Sequence, residues 1–113
     1  MPTRTTRRIT ELQFRPGLSD RDILRRIAAG DPAALRFLRT RHENALYAQV
    51  FAVLNDAVDA EHVVSEAFLE VSRNAAAFAS GGDSVHAMLG ALARARAEVL
   101  RSARGGRIRT GAA

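Results

Sequence analysis

The 113 residues give room for one domain, and the absence of cysteine means its core must rest on packing alone, without disulfides or thiolate-metal chemistry. All 17 basic residues are arginine against 12 acids, a net charge of +5, which points to a polyanionic partner. No apolar run approaches the roughly 18 residues of a membrane span, and no continuous apolar segment follows the basic N-terminus, so neither a span nor a signal peptide is expected and the expected location is the cytoplasm.

Residues 1–18 lack periodicity and carry Arg4, Arg7, Arg8 and Arg15, a flexible basic arm stopped by Pro16-Gly17. Ser19, with Asp22 three residues on, predicts a helix N-terminus. That first helix carries Ile23, Leu24, Ile27 and Ala28 and stops at Gly30. Asp31 caps the second, with Pro32 at its first position, where a missing N–H costs nothing. Its apolar side, Leu35, Leu38, Leu46, Val50, Phe51 and Leu54, runs to Asn55-Asp56.

The third helix is predicted from about Asp59 to Ala77. At about 100° per residue, Ala60, Val63, Val64, Ala67, Phe68 and Val71 share one arc of roughly 140°. That arc is the expected core face, and Leu69 stands among His62, Ser65, Glu66 and Arg73 on the opposite one. Residues 78–84, FASGGDS, compose a loop. A fourth helix follows from Asp83 or Ser84 to about Arg104, with Val85, Met88, Leu89, Leu92 and Val99 as its buried stripe and Gly105-Gly106 as its end. Residues 105–113 are then a flexible tail, and 19–104 an all-α, compact bundle of about four helices.

The middle of the chain is acidic and both ends are basic. Residues 19–83 carry a net −3, while residues 84–113 carry six arginines against Glu98 alone. Such asymmetry suggests a polyanion at one surface and another partner elsewhere. Catalytic constellations do not stand out. His42, His62 and His86 are far apart and belong to no ligand motif, and the carboxylate pairs Asp59/Glu61 and Glu66/Glu70 suit helix starts and solvent faces. Gly81-Gly82 is too short to be a phosphate loop. A binding module without metal or cofactor is expected, not an enzyme.

Three segments, in order, resemble a known family. Residues 18–35, LSDRDILRRIAAGDPAAL, look like the opening of extracytoplasmic-function sigma factors. Residues 59–69, DAEHVVSEAFL, resemble that family's stretch D-A-E-D-L-V-Q-E-V-F-L. Residues 84–94, SVHAMLGALAR, resemble its S-F-R-A-W-L-Y-R-I-A-R. The resemblance covers about residues 18–104 and implies the domain called sigma region 2. That domain binds the clamp helices of the largest RNA polymerase subunit and helps to melt the promoter minus-ten element; an anti-sigma factor is a further partner of such proteins.

Carried over by position, the resemblance implies a polymerase surface of Asp59, Glu61, His62, Ser65, Glu66, Leu69 and Ser72. It implies a DNA surface of Ser80, Gly81, Gly82, Asp83 and His86 beside an extruded base, with Arg94, Arg101 and Arg104 on phosphates. The departures fall on the surfaces: His62 replaces an acid, Ser65 a glutamine and Ser72 a tryptophan, while Met88 replaces a tryptophan, Ala95 an asparagine and Arg96 a leucine. Arg96 lies at the edge of the apolar stripe and must snorkel or find a partner. Glu98 is within reach of both Arg94 and Arg101 and is expected to neutralise them in part. The chain ends where the linker to the family's helix-turn-helix domain would begin. The alternative to initiation is a sigma-like interaction module that keeps the fold and binds a regulator.

Overall fold

The structure is a computed structural model that describes the backbone of residues 18–112 and the side chains up to Gly105. Five helices are described: α1 (Asp20–Ala28), α2 (Pro32–Leu54), α3 (Ala57–Arg73), α4 (Ala75–Ser80) and α5 (Val85–Ala112), with no strand among the described residues. The all-α expectation is met. Of the expected arm, residues 1–18, residues 1–17 lie outside the described residues, and Leu18 does not belong to a flexible arm. Leu18 packs against the core, and its carbonyl accepts a hydrogen bond from Arg41 Nη1 at 3.0 Å.

The helix ends follow local chemistry. Ser19, in extended conformation, accepts the Asp22 N–H at 3.1 Å. Hydrogen bonding from Ser19 and then the charge of Arg25 hold the Asp22 carboxyl below its usual value. Its stabilisation is therefore present above the ordinary aspartate range and lost as pH falls through the lowered value. At the other end Gly30 takes φ +91°, with Gly30 N–H on Ile27 O and Asp31 N–H on Arg26 O, a Schellman ending that only glycine adopts without strain. Asp31 then accepts the Ala33 N–H at 3.0 Å, and Pro32 opens α2. Asn55, left-handed at φ 52°, closes it.

Helix α3 begins two residues before Asp59, because Asp56 is its cap and accepts the Asp59 N–H at 2.9 Å. It also ends earlier than expected. The backbone N–H and side-chain amide of Asn74 both donate to Glu70 O, closing the helix and leaving Ala75–Ser80 as the separate turn-and-a-half of α4. The expected loop thus shrinks to residues 81–84. Ser84 caps α5 by accepting the Ala87 N–H at 3.0 Å. The expected tail is corrected too: α5 stays helical through Gly105-Gly106 to Ala112. Gly105 does not take the left-handed backbone that Gly30 takes, and glycine without such a turn permits a helix to continue.

Helix α3 packs against both long helices and also touches α1 and α4. All six residues of its expected core arc are buried. Ile23, Leu24, Leu38, Leu46 and Val50 from α1 and α2 complete the core with Leu89, Ala93 and Ala97 from α5. On α5 the stripe differs from expectation. Val99 is 71% exposed, and Met88 and Leu92 are only partly buried, whereas Ala93 and Ala97 are fully buried. The buried face is turned by roughly 80° from the line of large residues. Small side chains let α5 approach its neighbours, and at Gly90 a Cβ would come 3.0 Å from Gln49 Oε1 of α2. Phe51 was also expected inside; it is 39% exposed and stacks on Tyr47 with ring centroids 5.9 Å apart. No described helix is long and apolar enough to cross a membrane.

This packing separates two branched aliphatic positions, Leu38 and Val99, that sequence periodicity treats alike. Leu38→Ala should cost about 2–5 kcal/mol in denaturant unfolding, as truncation of a fully buried leucine does. Val99→Ala should stay within about 0.5 kcal/mol, and a loss as large as that of Leu38→Ala would contradict the exposed position.

Candidate functional site

The residues expected to contact polymerase all lie on α3 but do not form one surface. Counting about 100° per residue, Leu69 stands opposite the middle of the buried arc, and it is 47% exposed. His62, also exposed, lies beside it. Glu61, Ser65 and Ser72 fall towards α2, and Asp59 and Glu66 towards α5. Ser65 Oγ accepts a hydrogen bond from Arg39 Nη2 of α2 at 3.1 Å, while the same arginine pairs with Glu43 at 2.9 Å and lies over the Phe68 ring. Ser72 Oγ donates to the Leu69 carbonyl of its own helix at 2.8 Å. Both serine hydroxyls thus have intramolecular partners. The ridge that remains open comprises His62, Leu69 and Arg73.

The α5 side of α3 is a seam of ion pairs. Arg96 donates to Glu70, with its other nitrogen 3.9 Å from Glu66, and His62 Nε2 lies 3.4 Å from Glu66 Oε1. Arg96 therefore finds the partner its place at the edge of the apolar stripe demanded, although its Nε is buried without a hydrogen-bond partner. Beside it runs a groove of about 510 Å³ between α3 and α5, lined by His62, Val63, Glu66, Leu92, Val99 and Ala103 among others. Further along, Arg104 grips Asp59 through both terminal nitrogens, Nη2 at 2.9 Å. The resemblance implies DNA contact for Arg104 and polymerase contact for Asp59. Instead they pair with each other, because the roughly 80° turn of α5 brings position 104 round to the face that packs on α3.

The remaining DNA candidates follow one another along α5 and its preceding loop. Gly82 and Asp83 are exposed, Gly81 is half-buried, and Ser80 is exposed with its hydroxyl on Ala76 O. Arg94 and Arg101 share the solvent face of α5, about 10 Å apart along its axis at 1.5 Å per residue. Glu98 pairs with Arg101 at 2.8 Å, while the Arg94 Nε donates to Gly90 O at 3.2 Å, so the expected neutralisation reaches only Arg101. Among the candidates on α5, Arg94 presents the cation least engaged by carboxylates.

Two arrangements had no local signal in the sequence. Arg21 of α1 donates to Ala79 O at 2.8 Å and Asp83 O at 2.6 Å, tying the end of α4 and the 81–84 loop to α1. His86 is not simply a loop-side polar residue: its Nδ1 lies 3.3 Å from Nδ1 of His42, which is only 7% exposed and holds Asp20 through Nε2 at 2.9 Å. No group of three or more His, Cys, Asp or Glu side chains suited to a metal ion occurs among the described residues. Comparison with protein-family models, with curated proteins and with solved structures gives no match.

The Asp59–Arg104 pair decides how much charge α5 can offer to a phosphate. The arginine side chain is 44% exposed, so the pair should be weak. A double-mutant cycle of Asp59→Asn and Arg104→Gln should give a coupling below about 1 kcal/mol that fades in high salt. A coupling of several kcal/mol would mean that Arg104 is locked to α3.

Proposed function

We propose that this chain is a sigma region 2-like domain that docks on the clamp helices of RNA polymerase and contacts promoter minus-ten DNA during initiation, in the cytoplasm. One observation carries the reading. Residues 59–69, which resemble the family's most typical stretch, lie in α3 so that their apolar positions join the core and Leu69 stands on the open ridge opposite. A lone exposed leucine is ordinary. An exposed leucine on a helix that touches all four others, with His62 and Arg73 beside it, is a fitting anchor for a partner helix. The DNA side rests on Arg94 and Arg101 along one exposed face of α5, following the loop 81–84. Those arginines would position a phosphate backbone without reading sequence.

A second reading has its own support. Arg96 and Arg104 are drawn onto α3 carboxylates, and Ser65 and Ser72 onto intramolecular partners, so much of the polar chemistry expected of the two surfaces is already satisfied. That favours an interaction module that keeps the fold and binds a regulator such as an anti-sigma factor without initiating.

The two readings give different binding data. On the first, a clamp-helix fragment binds the purified chain, and Leu69→Asp abolishes binding while changing stability by less than about 0.5 kcal/mol. A folded protein that ignores the fragment supports the second. For DNA, the affinity for a single-stranded minus-ten oligonucleotide falls as salt rises, and Arg94→Ala with Arg101→Ala reduces the log–log slope by roughly one to two. An unchanged slope removes α5 from the DNA surface.

A further inference from the structure

Histidine 42 is the one polar or charged residue that is buried among the described residues, and its environment is specific. Its Nε2 lies 2.9 Å from Asp20 Oδ2, and the other oxygen of that carboxylate accepts from Arg41 Nη1 at 2.9 Å. An ionised carboxylate only accepts, so His42 Nε2 must carry the proton. In the neutral ring the lone pair is then on Nδ1, which faces His86 Nδ1 at 3.3 Å across rings whose centroids are 5.4 Å apart. Only one proton fits between two nitrogens so placed.

We propose that His42 and His86 form a two-histidine site for a divalent transition-metal ion of the zinc class, held in place by Asp20. Two imidazole nitrogens bound at about 2.0–2.1 Å to a tetrahedral ion stand about 3.3–3.4 Å apart, which is the separation already present. A carboxylate on the far nitrogen is the usual partner of a ligating histidine: it selects the tautomer and aims the lone pair. The charge opposing a cation here is Arg41, and it is taken up by the second Asp20 oxygen and by the Phe37 ring 4.8 Å away. His86 is exposed in the first turn of α5, so an ion reaches the pair from solvent. On binding, the proton between the rings leaves His86 Nδ1 through water and one is taken up at His86 Nε2, so both rings remain neutral and no net proton is lost. With two protein ligands, water completes the coordination and the affinity stays below that of a four-ligand structural site. Imidazole nitrogen favours zinc, cobalt, nickel and copper over the oxygen-seeking magnesium and calcium. Protons compete for the same lone pairs, so affinity falls on acidification. The ion would fasten the start of α5 to α2. None of this depends on polymerase or DNA binding.

Calorimetric titration of the full 113-residue chain with zinc chloride, and separately with cobalt chloride, should show one equivalent bound, with magnesium chloride giving none. His86→Ala, at an exposed position, should abolish the site. His62→Ala should leave it intact, although His62 and Glu66 are the other histidine–carboxylate pair. Asp20→Asn should weaken binding roughly 10- to 100-fold. Zinc should also raise the Tm of the parent chain and not that of His86→Ala. No binding, binding that survives His86→Ala or is lost in His62→Ala, or an affinity untouched by Asp20→Asn would each overturn the proposal.

Discussion

The packing of α3 against its two long neighbours governs the rest of this molecule. Ala60 and Ala67 on α3, with Ala93 and Ala97 on α5, are fully buried, and side chains this small let helix axes come near one another while Phe68, Val63 and Val71 fill the space around them. Two consequences follow directly. The ridge opposite that face, centred on Leu69, is left without an intramolecular partner helix. And α5 buries its line of alanines instead of its line of large residues, which leaves Val99 exposed and Arg104 on Asp59.

The candidate surfaces are therefore coupled where they were expected to be separate. Carboxylates of α3 and arginines of α5 meet along one seam, at Glu66, Glu70 and Arg96 and again at Asp59 and Arg104. A partner approaching α3 and a phosphate approaching α5 would draw on the same charges. Exposed pairs of this kind exchange partners at small cost, so the seam does not forbid either interaction. It does mean that the formal charge of the C-terminal segment overstates what α5 presents to a polyanion. The apolar ridge carries no such deduction, and the docking proposal stands more firmly on it than on the arginines.

What could be seen in the sequence was what is decided within a few residues. Ser19, Gly30, Asp31-Pro32 and Asn55 mark helix ends through hydrogen bonds to their own neighbours, and the α3 core arc follows from helical period alone. Sequence and structure differ where distance in sequence matters or where side-chain size misleads. Periodicity places Val99 inward because it weights large residues, whereas α5 is packed through small ones. The break at Asn74 depends on a side-chain amide returning to Glu70 O, which a loop-like composition further on concealed. Gly105-Gly106 looked like a stop, but a glycine stop needs the left-handed turn that forms at Gly30 and not at Gly105. On the functional side, Arg96 advertised its need for a partner, but neither Glu70 nor the Asp20–His42–His86 chain was identifiable, since these contacts join residues 22 to 44 positions apart.

The central claim is that the Leu69 ridge of α3 is a docking face. The most direct test is to titrate an RNA polymerase clamp-helix fragment into isotope-labelled protein and follow the backbone amide signals residue by residue. The account predicts that the largest shifts cluster at His62, Glu66, Leu69 and Arg73, while Ile23, Leu24 and the loop at residues 81–84 stay unmoved. Shifts confined to other helices, or none at saturating fragment in a folded sample, would contradict it.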